Sequence, residues 1–220
     1  EPRAAYHLPW RTALLGHICL GPERAGEPTF VLMREWADVG EALPRPAALA
    51  ELARRYLGAY APAAPADMAA WSGLTVTDAR AGFAALDLVE VDAAGRPAWM
   101  LASQMAWLDA PAPAQPTVRL LARFDIYMLG YATRDLTVLE GYGKQVNAGG
   151  GMISATLLVD GLAVGTWSVG RRKAGVTVAV EPWLPLDPAL LPALEAEAAD
   201  VGRFLGQPAE LKGPHRRGAE

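Results

Sequence analysis

A single cysteine, Cys19, stands in 220 residues, so no intramolecular disulfide is available and a reducing, cytoplasmic compartment is the expectation. Histidine is nearly as scarce. His7, His17 and His215 are scattered, and with one cysteine they form no metal-ligand spacing, so neither a metal nor a cofactor is expected. Long apolar runs are missing as well: the longest, Ala98 to Leu108, is broken by Ser103 and Gln104 and falls far short of the roughly 20 residues a bilayer needs. With neither a basic start nor an apolar signal segment, the chain is read as having no membrane partner. No G-x-S-x-G, no supported Cys-His arrangement and no motif of paired carboxylates is present. Lysine is rare, with only Lys144, Lys173 and Lys212 among 20 basic residues, which fits an alanine- and arginine-rich codon usage and carries no functional weight.

What is there suffices for a folded protein. The 52% apolar and 20% charged fractions sit in the globular range, and the length allows one large domain or two small ones. The net charge of −4 argues mildly against a nucleic-acid binder, but it is unevenly spread. Residues 1–116 carry 9 Lys and Arg against 13 Asp and Glu, and 183–205 carry 1 against 4. Residues 117–182 carry 7 against 5, the one positively biased folded stretch.

The first residue is Glu rather than Met, so the chain is expected to be the downstream part of a longer one. Ile18 to Leu20 and Thr29 to Met33 read as a hairpin around the turn-forming run Gly21 to Gly26, and residues 1–42 as the wing remnant of an upstream winged helix. After Leu43-Pro44-Arg45-Pro46, Leu49, Leu52, Ala53, Tyr56 and Tyr60 recur at helical spacing. Pro65 opens a short helix expected to turn Met68 and Trp71 inward, and Gly73 closes it. Thr75-Val-Thr-Asp78 has the form of a helix start in which the hydroxyl and the carboxylate satisfy free amides. The third helix then runs inward through Val76, Ala79, Phe83 and Leu86, and a hairpin, Leu88 to Asp92 and Arg96 to Leu101, follows. Helix, helix, turn, helix, hairpin over 43–109 is the order of a winged helix-turn-helix.

Residues 110–116 alternate with proline as a stiff linker. Beyond it, Val118 to Leu121, Ala155 to Asp160, Ala163 to Val169 and Val176 to Glu181 read as antiparallel strands of a small barrel-like domain, 117–205. Its last helix, from about Pro188, is expected to bury Leu194, Ala198, Val201 and Leu205 and expose Glu195, Glu197 and Asp200. Residues 206–220 read as a disordered tail. The fold class is thus α+β: a winged helix-turn-helix, a small antiparallel β-barrel-like domain and a C-terminal helix.

Several segments carry a family likeness. Leu52-Ala-Arg-Arg-Tyr-Leu57, Ala70-Trp-Ser-Gly-Leu74, Phe124-Asp-Ile-Tyr-Met-Leu-Gly-Tyr131 with Arg134-Asp135, and Asn147-Ala-Gly-Gly-Gly-Met152 with Leu158-Val-Asp-Gly161 and Gly165-Thr-Trp167 resemble the bacterial winged-helix DNA-binding family that includes the AlkZ-type DNA glycosylases. The resemblance covers most of residues 14–205. It implies tandem winged helices followed by a small β-barrel, a DNA partner, and excision of alkylated bases, including interstrand crosslinks. The family's catalytic signature is Gln, an apolar residue, then Gln or Asp. None of Gln104, Gln115, Gln145 and Gln207 lies two residues from another Gln or an Asp, so the resemblance brings no catalytic residue to this chain. The alternative is a non-catalytic winged-helix interaction module, or a protein resembling a transcription regulator.

Candidate DNA contacts follow from charge and placement. The third helix turns Thr77, Asp78, Ala81 and Ala85 outward, side chains too short or of the wrong sign to read base edges, leaving Arg80 on its flank and Arg96 beside the wing turn. Arg171, Arg172 and Lys173 crown a hairpin turn, and Lys144 precedes Gly149-Gly-Gly151. These cations read either as a solvated tip or as contacts to the DNA phosphate backbone. Asp125 and Arg134 are expected to pair as a structural ion pair. The protein is expected to be a monomer.

Overall fold

The structure, a computed structural model, describes residues 2–147 and 149–213 and divides into two compact units, Glu1–Pro44 and Arg45–Glu220. The first unit contains helix α1 (Pro2–Leu14), strands β1 (Ile18–Arg24) and β2 (Glu27–Leu32), and a single helical turn α2 (Met33–Trp36). The predicted hairpin is present but longer, and it turns at Ala25-Gly26, both at positive φ (53° and 81°). Gly21 and Pro22, read as part of the turn, lie inside β1, where the register shifts between Gly21 and Arg24. Met33 starts α2 instead of ending the strand. No described side chain from 7 to 44 is buried. A two-stranded ribbon without a core is marginal by itself.

The second unit opens with α3 (Arg45–Tyr60), whose inward stripe buries Leu49, Ala53, Tyr56, Leu57 and Tyr60. Helix α4 (Pro65–Ser72) has Pro65 in its first turn, where a missing N–H costs nothing, and ends on Gly73 at φ 73°. Met68 is fully buried. Trp71 corrects the expectation: it is 37% exposed, its ring centroid lying 5.2 Å from that of Tyr56 and 6.1 Å from that of Tyr60.

Helix α5 (Val76–Ala84) starts at Thr75, whose Oγ1 accepts from the Asp78 N–H at 3.1 Å. The Asp78 carboxylate accepts from the Thr75 hydroxyl and from Arg45, both at 2.8 Å, and these two donors lower its pKa. It also faces the Thr75 backbone amide, as expected of a helix start, and that amide contributes to the lowering. The buried face is Ala79, Gly82 and Phe83, while Val76, expected inside, is 40% exposed. Gly82 explains the rotation. A Cβ there would stand 2.6 Å from the Leu49 carbonyl oxygen and 3.1 Å from the Ala53 Cβ, so α5 approaches α3 at the one position with no side chain. Gly82→Ala would gain roughly 1 kcal/mol of helix propensity but overpack a backbone contact at about 1–3 kcal/mol. A net loss of stability is expected in urea unfolding; an unchanged or raised midpoint would show that α3 and α5 can part freely.

Strands β3 (Leu88–Asp92) and β4 (Pro97–Leu101) form the wing in register Leu88↔Leu101 to Asp92↔Pro97, and Asp92 Oδ1 accepts from the Gly95 N–H at its turn. Ala63 bridges to Trp99, giving the wing a third, one-residue strand. Gln104, buried in the 3₁₀ helix Ala102–Trp107, accepts from the Leu101 N–H and donates to the Leu57 carbonyl. It ties the wing's end to α3.

After the linker, β5 (Val118–Leu121), β6 (Thr156–Val159), β7 (Leu162–Arg172), β8 (Gly175–Pro182) and β9 (Ala209–Lys212) form one sheet in the order β5-β6-β7-β8-β9. A short helix α6 (Gly143–Val146) lies between β5 and β6, and α7 (Leu191–Leu205) follows a 3₁₀ turn at Pro188–Leu190 capped by Asp187. Pairing is antiparallel except for β8–β9, which is parallel. Helix α7 touches β5, β8 and β9. In a flat sheet the edge strands of such a set lie about 19 Å apart, wider than one helix of about 10–12 Å, so the sheet curls around α7 as a half-barrel.

Three expectations are corrected here. The tail is not disordered from 206: Ala209–Lys212 is strand β9, because Gly206 at φ 65° ends α7 and returns the chain beside Val176–Ala179. Residues 214–220 of that expectation lie outside the described residues. Glu197 is not simply exposed; it is half-buried, accepting from the β5 Leu120 N–H at 3.0 Å and from Arg119 at 3.2 Å, which satisfies part of an edge strand. Leu205, expected buried, is 41% exposed on the last helical turn.

Candidate nucleic-acid interface

What holds the candidate surfaces in place is a seam of tyrosines. The segment Phe124–Tyr131 leaves β5 and packs on α3: Tyr56 donates to the Gly130 carbonyl at 2.7 Å, Tyr60 to that of Ile126 at 3.1 Å, and Tyr131 back to that of Tyr60 at 2.8 Å. Gly130 permits this. A Cβ at that position would stand 2.4 Å from the Tyr60 ring. Asp67, buried, accepts from the Ala64 N–H at 2.9 Å and the Ala132 N–H at 3.0 Å, joining α4 to the same segment. Burial raises the phenol pKa of Tyr56, and that of Tyr131 to about 12, so both stay protonated donors. The winged helix and the half-barrel are thereby hydrogen-bonded to each other.

Arg96, predicted as a DNA contact, sits on this seam as well: it donates to Thr133 Oγ1 at 3.2 Å and lies 3.8 Å from Asp135. The expected Asp125–Arg134 pair does not form. Asp125 Oδ1 instead accepts from the Tyr127 N–H, capping the 3₁₀ turn Ile126–Leu129, and Arg134 has its Nε buried without a hydrogen-bond partner. The short Asx geometry wins because its donor is two residues away.

The other candidates are exposed. Arg171 and Arg172 end β7, Lys173 follows in the turn to β8, and all three line one open groove with Gln207 and Pro208. Arg172 donates to Glu210 of β9, whereas Arg171 and Lys173 have no partner among the described residues. Lys144 projects from α6, and the nearby Gly149, Gly150 and Gly151 all have positive φ (97°, 60° and 77°), a tight turn in which the Gly149 N–H donates to Asn147. Arg80 is exposed on α5, as are Thr77 and Ala81 and the C-terminal cap residue Ala85. Of the six predicted cations, the structure gathers Arg171, Arg172 and Lys173 in one groove, and places Lys144, Arg96 and Arg80 on α6, the wing and α5. Among the described residues no cluster suited to a metal ion occurs, and no helix is long and apolar enough to cross a membrane.

The comparisons with known proteins bear on this arrangement. The family model for DNA glycosylase AlkZ-like proteins matches residues 2–204. The chain belongs to this family. It is 35% identical over 208 residues to an interstrand DNA cross-link repair glycosylase of Streptomyces sahachiroi, covering 90% of this chain and 53% of the relative. The solved structure of the Streptomyces sahachiroi DNA glycosylase AlkZ superposes with a TM-score of 0.75 at 32% identity, over 89% of this chain and 54% of that one. The chain therefore spans about half the length of the relatives it matches. In this AlkZ-like chain the segments that carry the likeness are joints. Phe124–Tyr131 is the seam, Gly165 lets β8 approach (a Cβ would stand 2.8 Å from the Glu181 carbonyl oxygen), and the Trp167 indole N–H donates to the Leu121 carbonyl at 2.7 Å.

Sequence reading missed two features. The seam was visible only as three tyrosines at separate places, and the turn Ala122–Asp125 carries a Phe where the chain geometry favours Gly.

Proposed function

We propose that this AlkZ-like chain binds DNA, chiefly through the phosphate backbone, and supplies DNA-holding surface to a base-excision glycosylase acting on alkylated bases. The observation that carries the reading is the end of the β7–β8 hairpin, where Arg171 and Lys173 stand exposed and unpartnered among the described residues beside Arg172. Cations of this kind track phosphates without specifying sequence. The α5 face of Thr77, Ala81 and Ala85 supports the same reading, since it offers no long polar side chain to a base edge. Titrating labelled duplex DNA at several salt concentrations tests it: weak, sequence-tolerant, steeply salt-dependent binding is expected, and salt-independent binding would overturn it.

The domain assignment belongs to the same proposal. Residues 43–109 act as a complete winged helix, 117–205 as the half-barrel with its helix, and 1–42 as the wing of a second winged helix. The last part is supported by a hairpin unit without a buried side chain among residues 7–44. A monomer in the cytoplasm suits a DNA partner and a lone cysteine.

Excision itself requires residues that place a water against the glycosidic carbon of an extruded nucleotide. This chain has no Gln followed two residues later by Gln or Asp. Purified chain incubated with alkylated duplex is expected to release no free base above background; robust release would show that other residues of this chain do the chemistry.

A further inference from the structure

Between β5 and the seam the chain makes a tight turn, Ala122 to Asp125, closed by the Asp125 N–H donating to the Ala122 carbonyl at 3.3 Å. Phe124 occupies its third position with φ 59°. That left-handed conformation in a turn is the place of Gly or Asn, and a bulky aromatic there is an outlier. The residue is not recruited to a core in exchange: Phe124 is 48% exposed, and Ile126 just beyond is 70% exposed. Arg123, beside it, is exposed and has no partner among the described residues. The backbone that presents this pair is rigidly fixed from behind. Asp125 caps the following turn, Tyr60 holds the Ile126 carbonyl, and Tyr56 holds that of Gly130. A strained residue fixed by its surroundings, and offered to solvent, is the pattern of a contact site.

We propose that the Arg123–Phe124 turn is a second DNA contact, in which the Phe124 ring stacks on an unpaired base and Arg123 meets the adjoining phosphate. This rests on the DNA-binding reading above and adds the class of DNA preferred. Apolar side chains wedge into base steps, and aromatic faces stack on any unstacked base, whatever its identity. An arginine adjacent in sequence is within reach of the phosphate that follows such a base. The basic hairpin end grips any duplex, whereas this turn discriminates distorted DNA from intact DNA.

The test compares a duplex carrying one unpaired thymine with the same duplex fully paired, using fluorescence anisotropy on the whole chain. The parent protein is expected to prefer the bulged duplex by roughly tenfold, the scale of one base stacked on an aromatic ring. Phe124→Ala should reduce the preference to near parity with paired-duplex affinity unchanged, and Phe124→Trp should keep it. Phe124→Gly separates stacking from folding, because glycine accepts the φ of this turn without strain: its melting temperature should match the parent's while the preference is lost. A parent without preference, a preference that survives Phe124→Ala, or a Phe124→Gly variant that melts well below the parent would each overturn the proposal. Failure of the parent to bind either duplex would instead overturn the DNA-binding reading on which it rests.

Discussion

Replacing Arg171, Arg172 and Lys173 together by Ser is expected to weaken DNA binding roughly 30- to 100-fold at low salt, equally for unrelated sequences, as three exposed ion pairs of up to about 1 kcal/mol each would. The slope of log affinity against log salt should become shallower by about 2 to 3, at roughly 0.9 per phosphate released from the complex. The lower figure applies if Arg172 stays with Glu210, since a guanidinium already facing a carboxylate displaces fewer counterions from DNA. Arg80→Ala, on a helix whose outer face is Thr77, Ala81 and Ala85, should change affinity less than twofold, as expected of a surface side chain outside the contact. Salt titrations of both variants decide the matter. An unaffected triple variant with a dead Arg80→Ala would assign the binding to α5 and reduce the hairpin end to a solvated tip.

The second large effect is on stability. Tyr56 is 1% exposed, packs against the rings of Tyr60 and Trp71 at 5.2 Å, and donates across the seam to the Gly130 carbonyl. Tyr56→Ala should cost about 3–5 kcal/mol, the range for truncating a buried aromatic. Tyr56→Phe keeps the ring and removes the donor, leaving a buried carbonyl unpaired at about 1–3 kcal/mol. Because the seam joins the winged helix to the half-barrel, chemical unfolding followed by circular dichroism should show one transition moved to lower denaturant in Tyr56→Phe. In Tyr56→Ala, the separation of that transition into two is the expected sign of uncoupling. A Tyr56→Ala protein as stable as the parent would mean that the seam contributes nothing to folding.

The elements themselves were legible because their causes are local. The α3 stripe, Pro65 and Gly73 around α4, the Thr75 cap, the wing hairpin and the proline-rich linker each depend on residues within a turn or two of one another. The likeness to AlkZ-type glycosylases was legible for a related reason, since the segments that carry it are continuous. What only the tertiary structure decided depends on partners distant in sequence. Strand β9 exists because α7 delivers Ala209–Lys212 beside β8, and a parallel partner separated by some thirty residues leaves no local signal. That strand in turn brings Glu210 to Arg172, changing three like charges into two free ones and a pair. Val76 and Trp71 were misassigned because helical periodicity sets which residues share a face but not how that face is rotated. Rotation is decided by closest approach, here by Gly82 against Leu49 and by the tyrosine rings against Trp71. Asp125 took a neighbouring amide instead of Arg134 because a backbone donor two residues away needs no ordering of a long side chain. Composition and periodicity alone therefore determined a winged helix followed by a sheet with one basic turn. The tyrosine seam, the half-barrel's closing strand and the strained Phe124 came from packing, where distances between remote residues outweigh the preference of any one of them.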